Sequence, residues 1–208
     1  MIIETLVLGV CMTNCYIISG NETGCVVIDP ASDADIIFNI IKAKGLKLEA
    51  ILLTHGHFDH ISAIPALVKL AGNDIPVYVH SNDKQFLSNS SLNLSRSISG
   101  LDFMYKENIN SLKDNDKLSL AGMNFFVLHT PGHTPGSVCY ICDDCIFTGD
   151  TLFASTIGRT DFPGGNFADL ISSLDKLKSL SKDYYLYPGH NAATTLSREI
   201  KYNEYMKL

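Results

Sequence analysis

The sequence predicts a layered α/β fold, and three observations carry that prediction. Strand-like and helix-like patterns alternate along one chain. The alternation runs twice, in two roughly similar halves. A histidine or aspartate also stands just past the end of each of four predicted strands: "ILLT" runs into His55, "FFVLHT" ends before His133, "CIFTG" ends at Asp150 and "YYLY" ends before His190. In layered α/β folds ligands gather outside the carboxyl ends of the strands. Four separate loops are therefore expected to converge on one place.

The elements follow in order. "IIETLVLG", "CYIIS" and "CVVIDP" read as short strands separated by turn formers such as "GNETG". An amphipathic helix is expected from about Asp33 to Lys44, closed by Gly45. "EAILLT" is a buried strand leading straight into the histidines. Residues Ile61 to Leu70 have helical spacing, with Pro65 either kinking the helix or sitting in its first turn. "PVYVH" is a further strand, and the Ser/Asn-rich stretch 88–100 is a helix end or surface loop. "KLSLAGMNFFVLHT" and "SVCYICDDCIFTG" read as two hairpins, the second turning at Asp143 and Asp144. A helix over about 166–179, the strand "YYLY" and a last helix complete the chain.

Composition narrows the function. The 208 residues carry a formal charge of -6 and no lysine- or arginine-rich run, so the basic footprint of a nucleic-acid binder is missing. No apolar run is long enough to span a bilayer. "MIIETLVLGV" carries Glu4 early and lacks a basic start and a small-residue cleavage site, so a soluble cytoplasmic protein is expected. Six cysteines in that setting read as reduced thiols. Cys139, Cys142 and Cys145 form overlapping C-x-x-C spacings but lack a second Cys/His pair, so they are read as small buried hydrophobes. Cys11, Cys15 and Cys25 are read the same way.

The chemistry centres on "LLTHGHFDH". His55, His57 and Asp59 alternate, so an extended segment would point them to one side, while His60 turns another way. This is not the helical H-E-x-x-H spacing of metalloproteases. Imidazole and carboxylate are suitable zinc or iron ligands. With His133, Asp150 and His190 there are seven candidates, too many for one tetrahedral metal and suited to two. His80 and His129 match no such pattern and read as ordinary polar residues. Asp29, ending "VVIDP", either orients a metal ligand or caps a turn, and Thr54 is read as structural.

"THGHFDH" resembles the T-H-x-H-x-D-H signature of the metallo-β-lactamase superfamily. "HTPGHTPGS", "FTGDTLF" and "YPGH" supply the rest of its pattern in order, so the resemblance covers nearly the whole chain. It implies a four-layer αββα fold, two mixed sheets flanked by helices, as one domain over residues 1–208. It also implies one metal on His55, His57 and His133, a second on Asp59, His60 and His190, and Asp150 bridging both with a water or hydroxide. Two divalent ions about 3.5–4 Å apart acidify that water and polarise a carbonyl. Zinc is expected, with iron and manganese as alternatives. Asp59 and Asp150 are the candidate catalytic carboxylates, Asp59 as a proton shuttle although a ligand carboxylate is a weak base.

Within the superfamily the chain looks most like short bacterial hydroxyacylglutathione hydrolases, the glyoxalase II-like thioesterases, through "GDTLFASTIGRTDFPGG". The implied partner is a small-molecule thioester such as S-lactoylglutathione. Candidate substrate residues are Phe153 and Arg159, the latter either binding a substrate carboxylate or bracing its loop through Asp161. The chain ends soon after His190, so the helical glutathione-binding extension of larger glyoxalase II enzymes is not expected. Iron-dependent persulfide dioxygenases share G-R-T-D-F and are the alternative. Lactonases usually place a tyrosine where Phe153 stands, nucleases need extra RNA-binding domains, and antibiotic-hydrolysing members typically carry cysteine in place of Asp150. A non-enzymatic binding module would have no use for a full ligand set.

Overall fold

The structure is a computed structural model that describes residues 1–208. Two mixed six-stranded sheets form its centre. The first runs β1 (Ile2–Leu8), β2 (Thr13–Ser19), β3 (Gly24–Ile28), β4 (Lys47–Leu52), β5 (Val77–His80), β6 (Ile109–Leu112) in that spatial order. Its first three strands are antiparallel and β3 to β6 are parallel. The chain continues through β7 (Lys117–Leu120), β8 (Met123–His129), β9 (Val138–Cys142), β10 (Cys145–Gly149), the small hairpin β11 (Leu152–Phe153) and β12 (Thr156–Ile157), then β13 (Tyr185–Pro188) and β14 (Thr194–Thr195). The second sheet has the order β14-β13-β10-β9-β8-β7, parallel only at β10 and β13.

Side-chain alternation explains why the sheets stack. Tyr16, Ile18, Val26, Ile28 and Leu52 face Phe125, Val127, Val138, Tyr140 and Phe147 in the core between the sheets. Ile17, Val27, Ile51 and Val77 point the other way, onto Ile37 and Ile41 of α1 (Ala34–Ala43) and Leu67 of α3 (Ile64–Ala71). Across the molecule Cys139, Ile146 and Leu186 bury against Leu174 and Leu177 of α5 (Phe167–Lys178) and Leu196 of α6 (Leu196–Tyr202). Strands that are apolar on both faces can only be satisfied by layers on both sides. The result is the expected helix, sheet, sheet, helix stack.

Local chemistry sets the helix ends. α1 carries Asp35 in its first turn and Lys42 in its last, both favourable to the helix dipole. The Asn166 side chain accepts from the Asp169 N–H at the start of α5. The helix expected over Ile61 to Leu70 is α3, with Pro65 in its first turn, and a short additional helix, α2 (Phe58–Ile61), precedes it. Proline has no N–H to give the Ile61 carbonyl and its ring would collide with it, so α2 cannot run on into α3. The stretch 88–100 holds α4 (Ser95–Ser99), and its Asn93 and Ser95 are buried rather than at the surface. All six cysteines are free.

His80 and His129, outside any donor cluster, stack face to face with centroids 3.9 Å apart and 11° between planes. They end strands in different sheets. Burial, then the neighbouring imidazole, pushes the His80 pKa down to about 4 from an ordinary 6.5. The folded state thus takes up this proton later than the unfolded chain does. The associated stability is complete above about pH 6.5 and is lost as pH falls toward 4. We expect His80→Phe, which keeps a stacking surface, to show a smaller drop in Tm than the parent between about pH 7 and about pH 5. Thermal unfolding at the two pH values checks this, and equal drops would refute it.

Candidate metal centre

Segments following four strand ends deliver the donor side chains. His55 and His57 follow β4 and are buried. Asp59 and His60 lie in α2, His133 lies between β8 and β9, Asp150 follows β10, and His190 follows β13. The extended geometry expected for His55, His57 and Asp59 holds only as far as His57. Because α2 begins at Phe58, Asp59 swings away from the first two histidines and joins His60 and His190. Two donor groups result: His55, His57 and His133, and Asp59, His60 and His190, the donor atoms within each lying within 4.8 Å of one another.

Asp150 stands between them. Its Oδ2 is 3.5 Å from His133 Nε2 and 3.6 Å from His190 Nε2, and its Oδ1 is 3.4 Å from His60 Nε2. His190 Nε2 lies 3.3 Å from Asp59 Oδ2, which also accepts from Thr13 Oγ1 at 3.1 Å. Gly189 makes this approach possible, because a Cβ there would fall 2.2 Å from Asp150 Oδ1.

Hydrogen bonds behind the donors set which ring nitrogen faces inward. The His60 Nδ1–H donates to Asp29 Oδ2 at 2.9 Å, and the His133 Nδ1–H donates to the Arg159 carbonyl at 2.7 Å. His55 Nδ1 meets Thr54 Oγ1 at 3.1 Å, and that hydroxyl donates onward to Asp29 Oδ2 at 2.6 Å. Each imidazole therefore turns its Nε2 to the interior. Asp29 forms a third possible group with His55 and His60. It already accepts from His60, the Thr54 N–H and the Thr54 hydroxyl, which occupies its oxygens. Of its two sequence readings, orienting a donor is the one with contacts, and Thr54 shares that work.

Unpaired atoms test whether metal ions suit these residues. His55 Nε2, His57 Nε2, His60 Nε2 and Asp150 Oδ1 are buried with no hydrogen-bond partner, and His57 Nδ1 faces His133 Nε2 at 2.9 Å. Lone pairs shut away from water and from donors are costly, and a cation relieves several at once. Electrostatics agree. Burial and neighbouring imidazoles keep His55 and His57 well below the ordinary histidine range, hence neutral. Burial opposes a charge on His60 as well, yet Asp59, Asp150 and Asp29 outweigh it and push its pKa up to about 10. Burial likewise opposes ionisation of Asp59, but His60 and His190 hold it below the carboxylate range. The pocket attracts positive charge, and its donors fit two ions.

The donors floor a cleft of about 710 Å³. Phe153, Phe162 and Arg159 line it. The Arg159 guanidinium pairs with Asp161 through two bonds of 2.6 Å and lies 4.1 Å from the Phe162 ring centroid. It thus braces its own loop while bordering the cleft. Cys11, expected to be a buried hydrophobe, instead lies at the cleft edge and is only half-buried.

One residue of the site carries no mark in the sequence. Asp83, fully buried, accepts from the Gly56 N–H at 2.9 Å, the Thr134 hydroxyl at 2.7 Å and the Gly136 N–H at 2.7 Å. It ties the His55–His57 loop to the His133 loop. Burial pushes its pKa up to about 6 despite those bonds, so it is ionised at neutral pH. Asp83→Ala strands three buried donors and should cost about 3 kcal/mol of stability. It should also weaken binding at the His55, His57, His133 group by about 10-fold or more, through loss of loop register. Denaturation of the metal-free protein together with metal titration measures both; unchanged affinity at that group would refute the positioning role.

Comparison with known proteins accords with this geometry. Residues 8–190 match the family model described as "Metallo-beta-lactamase superfamily". The hydroxyacylglutathione hydrolase GloC of Haemophilus influenzae is 36% identical, the alignment covering 99% of this chain and 98% of that protein. The crystal structure of BLEG-1, a B3 metallo-beta-lactamase, is 33% identical with a TM-score of 0.91, covering 100% of both chains. That of TTHA1623 in a di-iron-bound form is 35% identical with a TM-score of 0.86, covering 97% of this chain and 99% of that one. The chain belongs to the metallo-beta-lactamase superfamily, among its metal-dependent hydrolases.

Proposed function

We propose that the chain is a thioesterase that hydrolyses S-acyl thiols such as S-lactoylglutathione at a two-metal centre. The observation that carries the reading is the position of Asp150, with one carboxylate oxygen toward His60 and the other toward His133 and His190. In this reading His55, His57 and His133 would hold one ion, Asp59, His60 and His190 would hold the other, and Asp150 would serve both. Zinc suits the mixed nitrogen and oxygen donors, and iron suits them as well, a possibility supported by the di-iron relative. When bound, such a pair supplies an acidified water and polarisation of the thioester carbonyl.

The chain's own residues do the rest. Asp59, oriented by Thr13 Oγ1 and set beside His190, is the carboxylate placed to pass the proton given up by the attacking water to the sulfur as the C–S bond breaks. Phe153 and Phe162 give the cleft apolar walls that limit water. Arg159 and Asp161 form an exposed ion pair, which is cheap to open, so the guanidinium can exchange Asp161 for a substrate carboxylate. Similarity to GloC supports a glutathione thioester as substrate. A cysteine nucleophile fits poorly: partial burial, then Asp59 and Asp150, raise the pKa of Cys11, the one thiol at the cleft.

Metal analysis of the purified protein should give close to two ions per chain. Asp150→Ala should lower kcat/KM for S-lactoylglutathione by about 1,000-fold or more. Arg159→Ala should raise KM by about 5-fold while leaving kcat and metal content nearly unchanged. A paired assay on one preparation decides the class. Thioester hydrolysis supports the proposal, whereas a single iron with oxygen uptake on glutathione persulfide overturns it.

A further inference from the structure

The cleft has a second arm. A chamber of about 600 Å³ opens between the β1–β2 turn and α4, and it meets the metal cleft at Cys11, Asp59 and Ile98, which line both. Its other walls include Leu8, Val10 and Phe58. These walls are held in place. The Phe58 ring packs edge-on against Phe103 at 5.7 Å, and α4 is anchored by the Asn93 carboxamide, which accepts from the Ser95 N–H and donates to the Phe86 carbonyl at 2.7 Å. Val10, part of the chamber lining, is 88% exposed. It contributes nothing to the core, and with Leu8, Phe58 and Ile98 it gives the chamber apolar side chains that can take apolar matter.

The two arms differ in charge. Arg159 borders the metal cleft, while no lysine or arginine lines the second chamber, whose lining includes Asp33 and, at the junction, Asp59. An anionic group is therefore favoured on the Arg159 side and disfavoured in the chamber. A thioester carbonyl has two substituents. With the carbonyl at Asp150, the two arms offer one place for each substituent.

Resting on the thioesterase reading above, we propose that the second chamber is the acyl subsite, and that it takes an uncharged apolar acyl group of several carbons while the charged thiol arm lies along Arg159. The reaction remains hydrolysis. Water adds its oxygen to the carbonyl carbon, the C–S bond breaks with its electron pair going to sulfur, and a proton completes the thiol. The chamber changes only which acyl groups are chosen.

The test is a series of S-acyl glutathiones on the metal-loaded enzyme: acetyl, butyryl, hexanoyl, and succinyl as the charged control. The value of kcat/KM should rise about 3-fold per methylene through hexanoyl, since each buried methylene leaves water. Succinyl, with its terminal carboxylate in a chamber lined by Asp33, should be about 10-fold poorer than butyryl. Ile98→Trp, which fills the junction, and Val10→Asp, which charges the lining on an exposed turn, should each flatten the rise without changing metal content. Calorimetry with the inert thioethers S-methylglutathione and S-hexylglutathione reads the same preference without turnover. The hexyl compound should bind more tightly in the parent, and the two should bind alike in Ile98→Trp. A flat chain-length profile with hydrolysis intact overturns the acyl subsite alone. No hydrolysis of any member overturns the thioesterase reading and this one with it.

Discussion

Everything around the centre follows from one electrostatic constraint: imidazole and carboxylate lone pairs that face one another in a region closed to water. His55, His57 and His60 each leave a ring nitrogen unpaired, and Asp150 leaves a carboxylate oxygen so. Unfilled, such a set favours loops that drift apart. The scaffold has to hold the donors in place until a cation makes their closeness favourable.

It does so with buried carboxylates that are not themselves free to bind metal. Asp29 reaches from the end of β3 to His60 and, through Thr54, to His55. Asp83 joins the two loops that carry the first donor group. Across the sheets, Asn14 and the Tyr16 hydroxyl on β2 hold the backbone beside His190 by donating to the Pro188 carbonyl at 2.9 and 2.6 Å. The two sheets are thus joined by polar bonds at the site as well as by the apolar core between them. Hydrogen bonds formed inside a closed core are hard to exchange for water, so the geometry is set before any ion arrives.

Much of this was legible in the sequence, for a physical reason. The donors sit in short runs at strand ends, and alternation and turn signals locate strand ends well. Grouping was less legible. Alternation alone put Asp59 with His55 and His57, and only the start of α2 at Phe58 separates them. Pro65 left open a kink or a first-turn position, and the structure has it in the first turn of α3, with the short α2 before it unmarked by any period. Strands β6, β11, β12 and β14 span two to four residues, too short to display a period. Asp83 could not be found at all, since an aspartate in "HSNDKQ" looks like any turn former and its role exists only through contacts about 30 and 50 positions away in the chain. Cys11 was misjudged because a cysteine in an apolar turn looks the same whether it faces a core or a cleft.

The pairing of Arg159 with Asp161 carries one more consequence. The molecule holds a carboxylate of its own against the guanidinium that borders its cleft. Any carboxylate that bound there would compete with an internal rival of the same chemistry, and only the difference between the two would contribute to affinity. Such a site discriminates weakly between anionic carriers and releases them readily. Added salt, which loosens the resident pair and the incoming one alike, largely cancels from the balance. Selectivity built this way would belong to the uncharged portion of whatever enters, and a charged product would not cling.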